Sequence, residues 1–150
     1  MLSAFFVDRL IKPCYNIRRG SDNVHMFFLL GKINTHLLEQ EFGKFETDEV
    51  IVTDERMEHI KDNHPQDVEL FEPYAGEATL NPDLIIKDLN HPNTVFMIKR
   101  LKNTNLNVIV KLAIKGAEAN IKNSVISFYR IRNKNLKKLE KNNKVLYKCE

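Results

Sequence analysis

The stretch TVFMIKRLKNTNLNVIVKLAI (Thr94–Ile114) sets two runs rich in β-branched and apolar residues on either side of the polar, turn-like KNTNL. A connection this short leaves no room for a crossover helix, so the two runs are expected to pair antiparallel. The same texture continues both ways: DLIIKD (83–88) lies before the turn NHPN (90–93), and SVISFYRI (124–131) follows KGAEANIKN (115–123). Four candidate strands thus form a meander, and KVLYK (144–148) is a candidate edge strand. Alternation puts Val108, Val110, Leu112 and Ile114 on one face. Asn107, Ile109, Lys111 and Ala113 take the other, with a lysine in mid-strand. Ser127 and Tyr129 share one face of their strand, and Ile126, Phe128 and Arg130 the other.

Upstream the pattern changes. FFLLGKINTHLLEQEFG (27–43) passes from continuous apolar character to helical spacing through Ile33, Leu37, Leu38, Glu41 and Phe42, with Gly43 as a stop. EVIVT (49–53) reads as a short strand, and Thr53 can N-cap the helix in TDERMEHIKDNHP (53–65), which Pro65 ends. QDVELFEPYAGEATL (66–80) reads as an acidic helical passage divided by Pro73. The expected class is therefore α+β, with N-terminal helices packed on a roughly four-stranded antiparallel β-sheet. Residues 1–45 are expected to form a helical N-terminal extension on the same core, and 46–150 the α+β domain proper.

A chain of 150 residues, 43% hydrophobic and 29% charged, fits one soluble globular domain. Its two cysteines, Cys14 and Cys149, have no disulfide-framework or zinc-site spacing. Apolar runs such as MFFLLG (26–31) are too short to span a bilayer, so a cytoplasmic protein without a membrane partner is expected. The net charge of +3 hides a split: between Glu39 and Glu58 acidic residues outnumber basic ones eight to two, and between Arg130 and Lys148 basic outnumber acidic eight to one. A basic end suits a polyanion; it equally suits a solvated lysine-rich surface.

On the helix, Arg56, His59 and Asn63 share one side, while Met57, Ile60 and His64 share the next. His59 and His64 are five apart, not the four that lets one helix offer two imidazoles to zinc, and no H-E-x-x-H pattern or cysteine cluster is present. Phosphate-binding glycine loops are missing as well. No metal and no cofactor are therefore expected. Imidazole, lysine and hydroxyl groups on a cationic chain suit cleavage of RNA through its own 2′-hydroxyl. That step needs a base, a positive group for the phosphorane and an acid for the leaving oxygen.

The motif E-R-x-x-H-I followed by H-P, then NPDLIIKD, NTVFMIKR, VIVKLA and NSVISFYRI, resembles the phage- and mobile-element nucleases grouped with barnase, EndoU, the tRNA-cleaving colicins and RelE (BECR). The likeness covers about residues 50 to 148. It implies helices against a four-stranded antiparallel sheet and metal-independent endoribonuclease activity of a toxin-like or phage-encoded kind in a bacterial cytoplasm. Carried over by position, it points to Arg56, His59 and His64 in the helix motif, Lys111 in VIVKLA, and Ser124 and Ser127 in NSVISF. Ser127 stands where the motif often has threonine.

On this reading His59 is general base or acid, Lys111 stabilises phosphate charge, and Ser127 hydrogen-bonds phosphate or ribose. Tyr129 is a second proton-transfer group or a stacking platform, and His64 closes the catalytic set. Arg56, Lys99, Ser124 and Arg130 would bind the nucleic acid. RNA is the expected partner, with an inhibitor or host protein as another. The competing expectation is a noncatalytic phage or mobile-element module that uses the same fold to bind a host protein or nucleic acid.

Overall fold

A computed structural model of the chain describes residues 12–19, 23–116 and 122–149. Two antiparallel strands, β1 (Lys12–Arg19) and β2 (Asn23–Lys32), lead through a 3-10 turn (Thr35–Leu37) and a single helical turn, α1 (Glu39–Phe42), into β3 (Glu49–Thr53). Helices α2 (Asp54–Asn63) and α3 (Val68–Leu80) follow. The meander β4 (Leu84–Lys87), β5 (Thr94–Arg100), β6 (Asn105–Lys111) and β7 (Asn123–Ile131) comes next. Helix α4 (Asn133–Asn142) and β8 (Lys144–Lys148) close the chain.

All eight strands join one sheet in the order β1-β2-β3-β7-β6-β5-β4-β8. The antiparallel pairing of β4 to β7 follows the expected meander, and β8 pairs with β4 at the edge. The expected fold class is nevertheless corrected. The sheet is mixed, not four-stranded and antiparallel, because β3 pairs parallel with β7 through Val50 and Ile51. Among the described residues two strands come before any helix: the apolar start of the run 27–43 is the second half of β2, and only its later part is helical, as the 3-10 turn and α1. The apolar run Phe27–Leu30 carries no period of two because both faces of β2 are covered at least in part there: Leu30 and half-buried Phe28 pack in the larger core, while Phe27 is buried as well. Residues 1–11 and 20–22 of the expected helical extension lie outside the described residues.

Local signals explain most boundaries. The Thr53 hydroxyl accepts from the Arg56 amide at 3.1 Å, and Asp54 and Glu55 occupy the first turn of α2, where carboxylates meet the positive end of the helix dipole. Gly43, at φ 85°, ends α1 in a conformation that suits glycine. Pro73 does not divide α3, which runs through it. Burial of Val68, Phe71, Ala75 and Ala78 against the sheet outweighs the one backbone donor that proline removes.

Two cores lie on opposite faces. The larger packs α2 and α3 on Val95, Met97, Val108, Val110, Val125 and Phe128; Phe71 and Phe128 meet at 4.4 Å between ring centroids. The smaller holds Leu136 of α4 on Leu84, Ile86, Phe96, Ile98 and Ile131. Helix α4 thus covers part of the second face.

Near the β8 edge, Lys87 and Lys144 are cross-strand neighbours, a like-charge pair that would repel. Glu41 of α1 accepts from both ammonium groups at 2.8 Å. The hydrogen bond from Lys144, then that from Lys87, holds its carboxyl below the ordinary glutamate range. A carboxyl depressed in the folded state stabilises above its unfolded pKa, and that gain is lost as pH falls through the folded value. Glu41→Gln is therefore expected to destabilise the fold by about 1 kcal/mol at pH 7, limited by screening of these part-exposed groups. Thermal melts should show the gap to wild type closing in acid; a gap that persists at low pH would separate Glu41 from this effect.

Candidate functional site

The pairing register decides which polar groups share the α4-covered face. Lys111 stands opposite Thr94 on β5 and Ser124 on β7; Ile109 stands opposite Phe96 and Ser127; Asn107 stands opposite Ile98 and Tyr129. Ser124 and Ser127 are an odd number of residues apart, so strict alternation would part them. The irregularity between Ile109 and Val110 makes Ile126 the extra residue of a β-bulge and turns both serines to the same side. Lys111, Ser124, Ser127 and Tyr129 therefore line one face. All four are partly exposed.

Two clefts open on this face, one on each side of the last turn of α4, with Leu139 and Asn143 in the wall of both. The first, about 520 Å³, is lined by His64, Gln66, Asp67, Tyr129, Arg130, Ile131, Asn135, Lys138 and Asn142. His64 reaches it because β3 pairs with β7 only at Asn123 and Ser124, and α2 then runs on past that strand. Its ring stacks on Tyr129, with centroids 5.3 Å apart and planes at 25°. Arg130 Nε donates to buried Asp67 at 2.8 Å, and its Nη2 donates to the Gln66 carbonyl at 2.8 Å. That pairing fixes the guanidinium and offsets much of its charge. Lys138 is the other cation lining this cleft, and Asp67, already bonded to Arg130, is its one carboxylate.

The second cleft, about 360 Å³, has a floor of Phe96, Ile109 and Ile126, and a rim of Asp88, Asn90, His91 and Thr94. Lys111 stands beside it, its Nζ donating to the Pro92 carbonyl at 2.7 Å. On the same row of β6, opposite Ile98 and Tyr129, Asn107 is fully buried and its amide N and O have no hydrogen-bond partner among the described residues. Such a group costs about 1–3 kcal/mol.

Three expected site residues lie elsewhere. His59 and Arg56 border a shallow hollow on the solvent side of α2 with Glu55, Glu58 and Asp62, and His59 Nε2 lies 3.0 Å from Asn63 Nδ2. Three carboxylates repel phosphate, and α2 packs Met57 and Ile60 into the core on the other side of the sheet from Lys111. The expected convergence of His59 with Lys111 is thus corrected. Lys99 is also on the other face: it donates to the Asn81 carbonyl at 3.0 Å and lies within 4.0 Å of Glu77 and Asp83. There it meets the negative end of α3, on the opposite side of the sheet from Lys111.

The structure also places a histidine that sequence reasoning passed over. His91, read only as part of a turn, lies 2.8 Å through Nδ1 from the buried carboxylate of Asp88. Its only local signal is an aspartate three residues earlier. No cluster of three or more metal-ligating side chains occurs among the described residues, and no helix among them is long and apolar enough to cross a membrane. Comparison with protein-family models, curated proteins and solved structures finds no match.

Proposed function

We propose that the chain is a metal-independent endoribonuclease that holds single-stranded RNA along the α4-flanked face of its sheet. The observation that carries this reading is the shared face of Lys111, Ser124, Ser127 and Tyr129, open on both sides of the end of a lysine-rich helix. Exposed Lys134, Lys137, Lys138 and Lys141 on α4 supply the field a polyanion needs. Stacked His64 and Tyr129 offer an aromatic platform for an unpaired base. An ammonium and two hydroxyls on rigid strands suit a phosphorane whose nucleophile comes from the substrate. The sequence motifs that resemble BECR nucleases point to the same chemistry.

Incubation of the full chain with mixed-sequence single-stranded RNA in EDTA is expected to yield fragments ending in 2′,3′-cyclic phosphate and 5′-hydroxyl. RNA left intact would overturn the reading. A noncatalytic RNA-binding module is the second reading, favoured by Arg130, whose guanidinium is already committed to Asp67 and Gln66. It predicts a salt-sensitive complex and no fragments.

A further inference from the structure

We infer that His91, held by Asp88, is the imidazole that works with Lys111, and that the cleft it borders is where the RNA chain is cut. This rests on the endoribonuclease reading above. The support is the way the turn between β4 and β5 is fixed. The Asp88 carboxylate accepts the Asn90 amide through Oδ1 and meets His91 Nδ1 through Oδ2, both at 2.8 Å. The Asn143 side chain at the end of α4 accepts the Leu89 amide at 2.9 Å. The Pro92 carbonyl, next in chain to His91, accepts both the Thr94 hydroxyl at 3.0 Å and the Lys111 ammonium at 2.7 Å. One short turn therefore carries an imidazole with a carboxylate on one nitrogen and is tied directly to the ammonium.

A carboxylate on Nδ1 selects the tautomer whose Nε2 is free to accept a proton. His91 remains 72% exposed in its side chain, while Asp88 is 8% exposed. The acid is buried and the base reaches solvent, which is the order a positioned general base needs. Asp88 of its own turn is the charged group on His91, Lys111 from β6 reaches the same turn at the Pro92 carbonyl, and α4 brings only the uncharged Leu139 to this cleft, with Asn143 just beyond its end. The apolar floor of Phe96, Ile109 and Ile126 gives a neighbouring base a surface to cover.

In the step, Nε2 of His91 takes the 2′-hydroxyl proton as the 2′-oxygen bonds to phosphorus. The P–O5′ bond breaks with its electron pair on O5′, which takes a proton from water, and the hydroxide left behind recovers the proton from His91. The Lys111 ammonium faces the non-bridging oxygens. The products are a 2′,3′-cyclic phosphate and a 5′-hydroxyl end, with no net change at the protein.

The test is RNA cleavage in EDTA across a pH series by wild type, His91→Gln, Asp88→Asn and the remote control His36→Ala. His91→Gln is expected to cut kcat about 100-fold and to remove the acid-side fall in kcat/KM, with an unchanged melting temperature. Asp88→Asn, acting through orientation, should lower kcat while leaving KM in place. The His36 variant should behave as wild type. A wild-type chain that leaves RNA intact defeats the endoribonuclease reading and this assignment with it. Active wild type with a full acid limb retained in His91→Gln overturns the assignment alone.

Discussion

Lys111→Ala is expected to lower kcat for RNA cleavage by about 100- to 1,000-fold, the loss typical when a preorganised group opposite a developing oxyanion is removed. The size follows from where the ammonium sits. It projects from a strand flanked on both sides by hydrogen-bonded neighbours, and its Nζ is anchored 2.7 Å from the Pro92 carbonyl. Little reorganisation is then needed when charge builds on the phosphate. Lys111→Arg should recover part of the rate, because the charge is kept while the planar fork cannot reproduce a compact ammonium beside Pro92. If Lys111 also touches a phosphate in the bound state, the salt dependence of RNA binding should weaken by about one counterion. The side chain is partly exposed and the Pro92 carbonyl keeps the Thr94 hydroxyl as a donor, so folding stability should fall by no more than about 1 kcal/mol. A raised KM with unchanged kcat would make Lys111 a binding group and move charge stabilisation to another residue.

How much of this was legible in the sequence differs from element to element for physical reasons. The meander from β4 to β7 shows itself through β-branched runs and short polar turns, which are local. In the segment from Phe27 the helical spacing marks the short turns at Thr35–Leu37 and Glu39–Phe42, ended by Gly43, but the apolar run before it hides the end of β2, because a short run without alternation is ambiguous between helix and strand. Parallel pairing of β3 with β7 brings together residues more than seventy apart, and no local pattern records that. The candidate site divides in the same way. Lys111 and Tyr129 are placed by alternation, but Ser124 joins them only through the bulge at Ile126. On a helical wheel His59 shares its side with Arg56 and Asn63, and His64 the next side with Met57 and Ile60; the turn of α2 toward the core leaves the first among carboxylates and sets the second on Tyr129. His91 could have been noticed only by weighing Asp88 at i−3 in a turn, a spacing shared by many turns without chemistry.

Asn123→Ala is expected to destabilise the fold by about 3–5 kcal/mol, since several buried partners lose their hydrogen bonds together. The Asn123 side chain is fully buried. Its Oδ1 accepts the Ala113 amide at 2.8 Å, and its Nδ2 donates to the carbonyls of Thr47 at 2.8 Å and Glu49 at 2.9 Å. One amide thus ties the exit of β6 to the entry of β3, at the place where β3 and β7 pair in parallel through Val50 and Asn123. The parallel ladder there is only two residues long, and the Phe45–Ile114 bridge, with the Glu46 amide on the Ala113 carbonyl at 2.9 Å, supports it from the segment before β3. Asn123→Asp should do no better, because its carboxylate would face two carbonyl oxygens in place of the amide N–H groups. With a urea m-value of about 1–3 kcal/mol/M, the alanine variant's unfolding midpoint should fall by about 1 M or more. The consequence reaches the site, since Asn123 precedes Ser124 and stands beside the pair Lys111–Ser124. Residual cleavage by the folded fraction of Asn123→Ala should therefore drop by more than that fraction. A loss of under 1 kcal/mol would mean that water replaces the amide at this junction, and the serines would then owe their placement to the bulge alone.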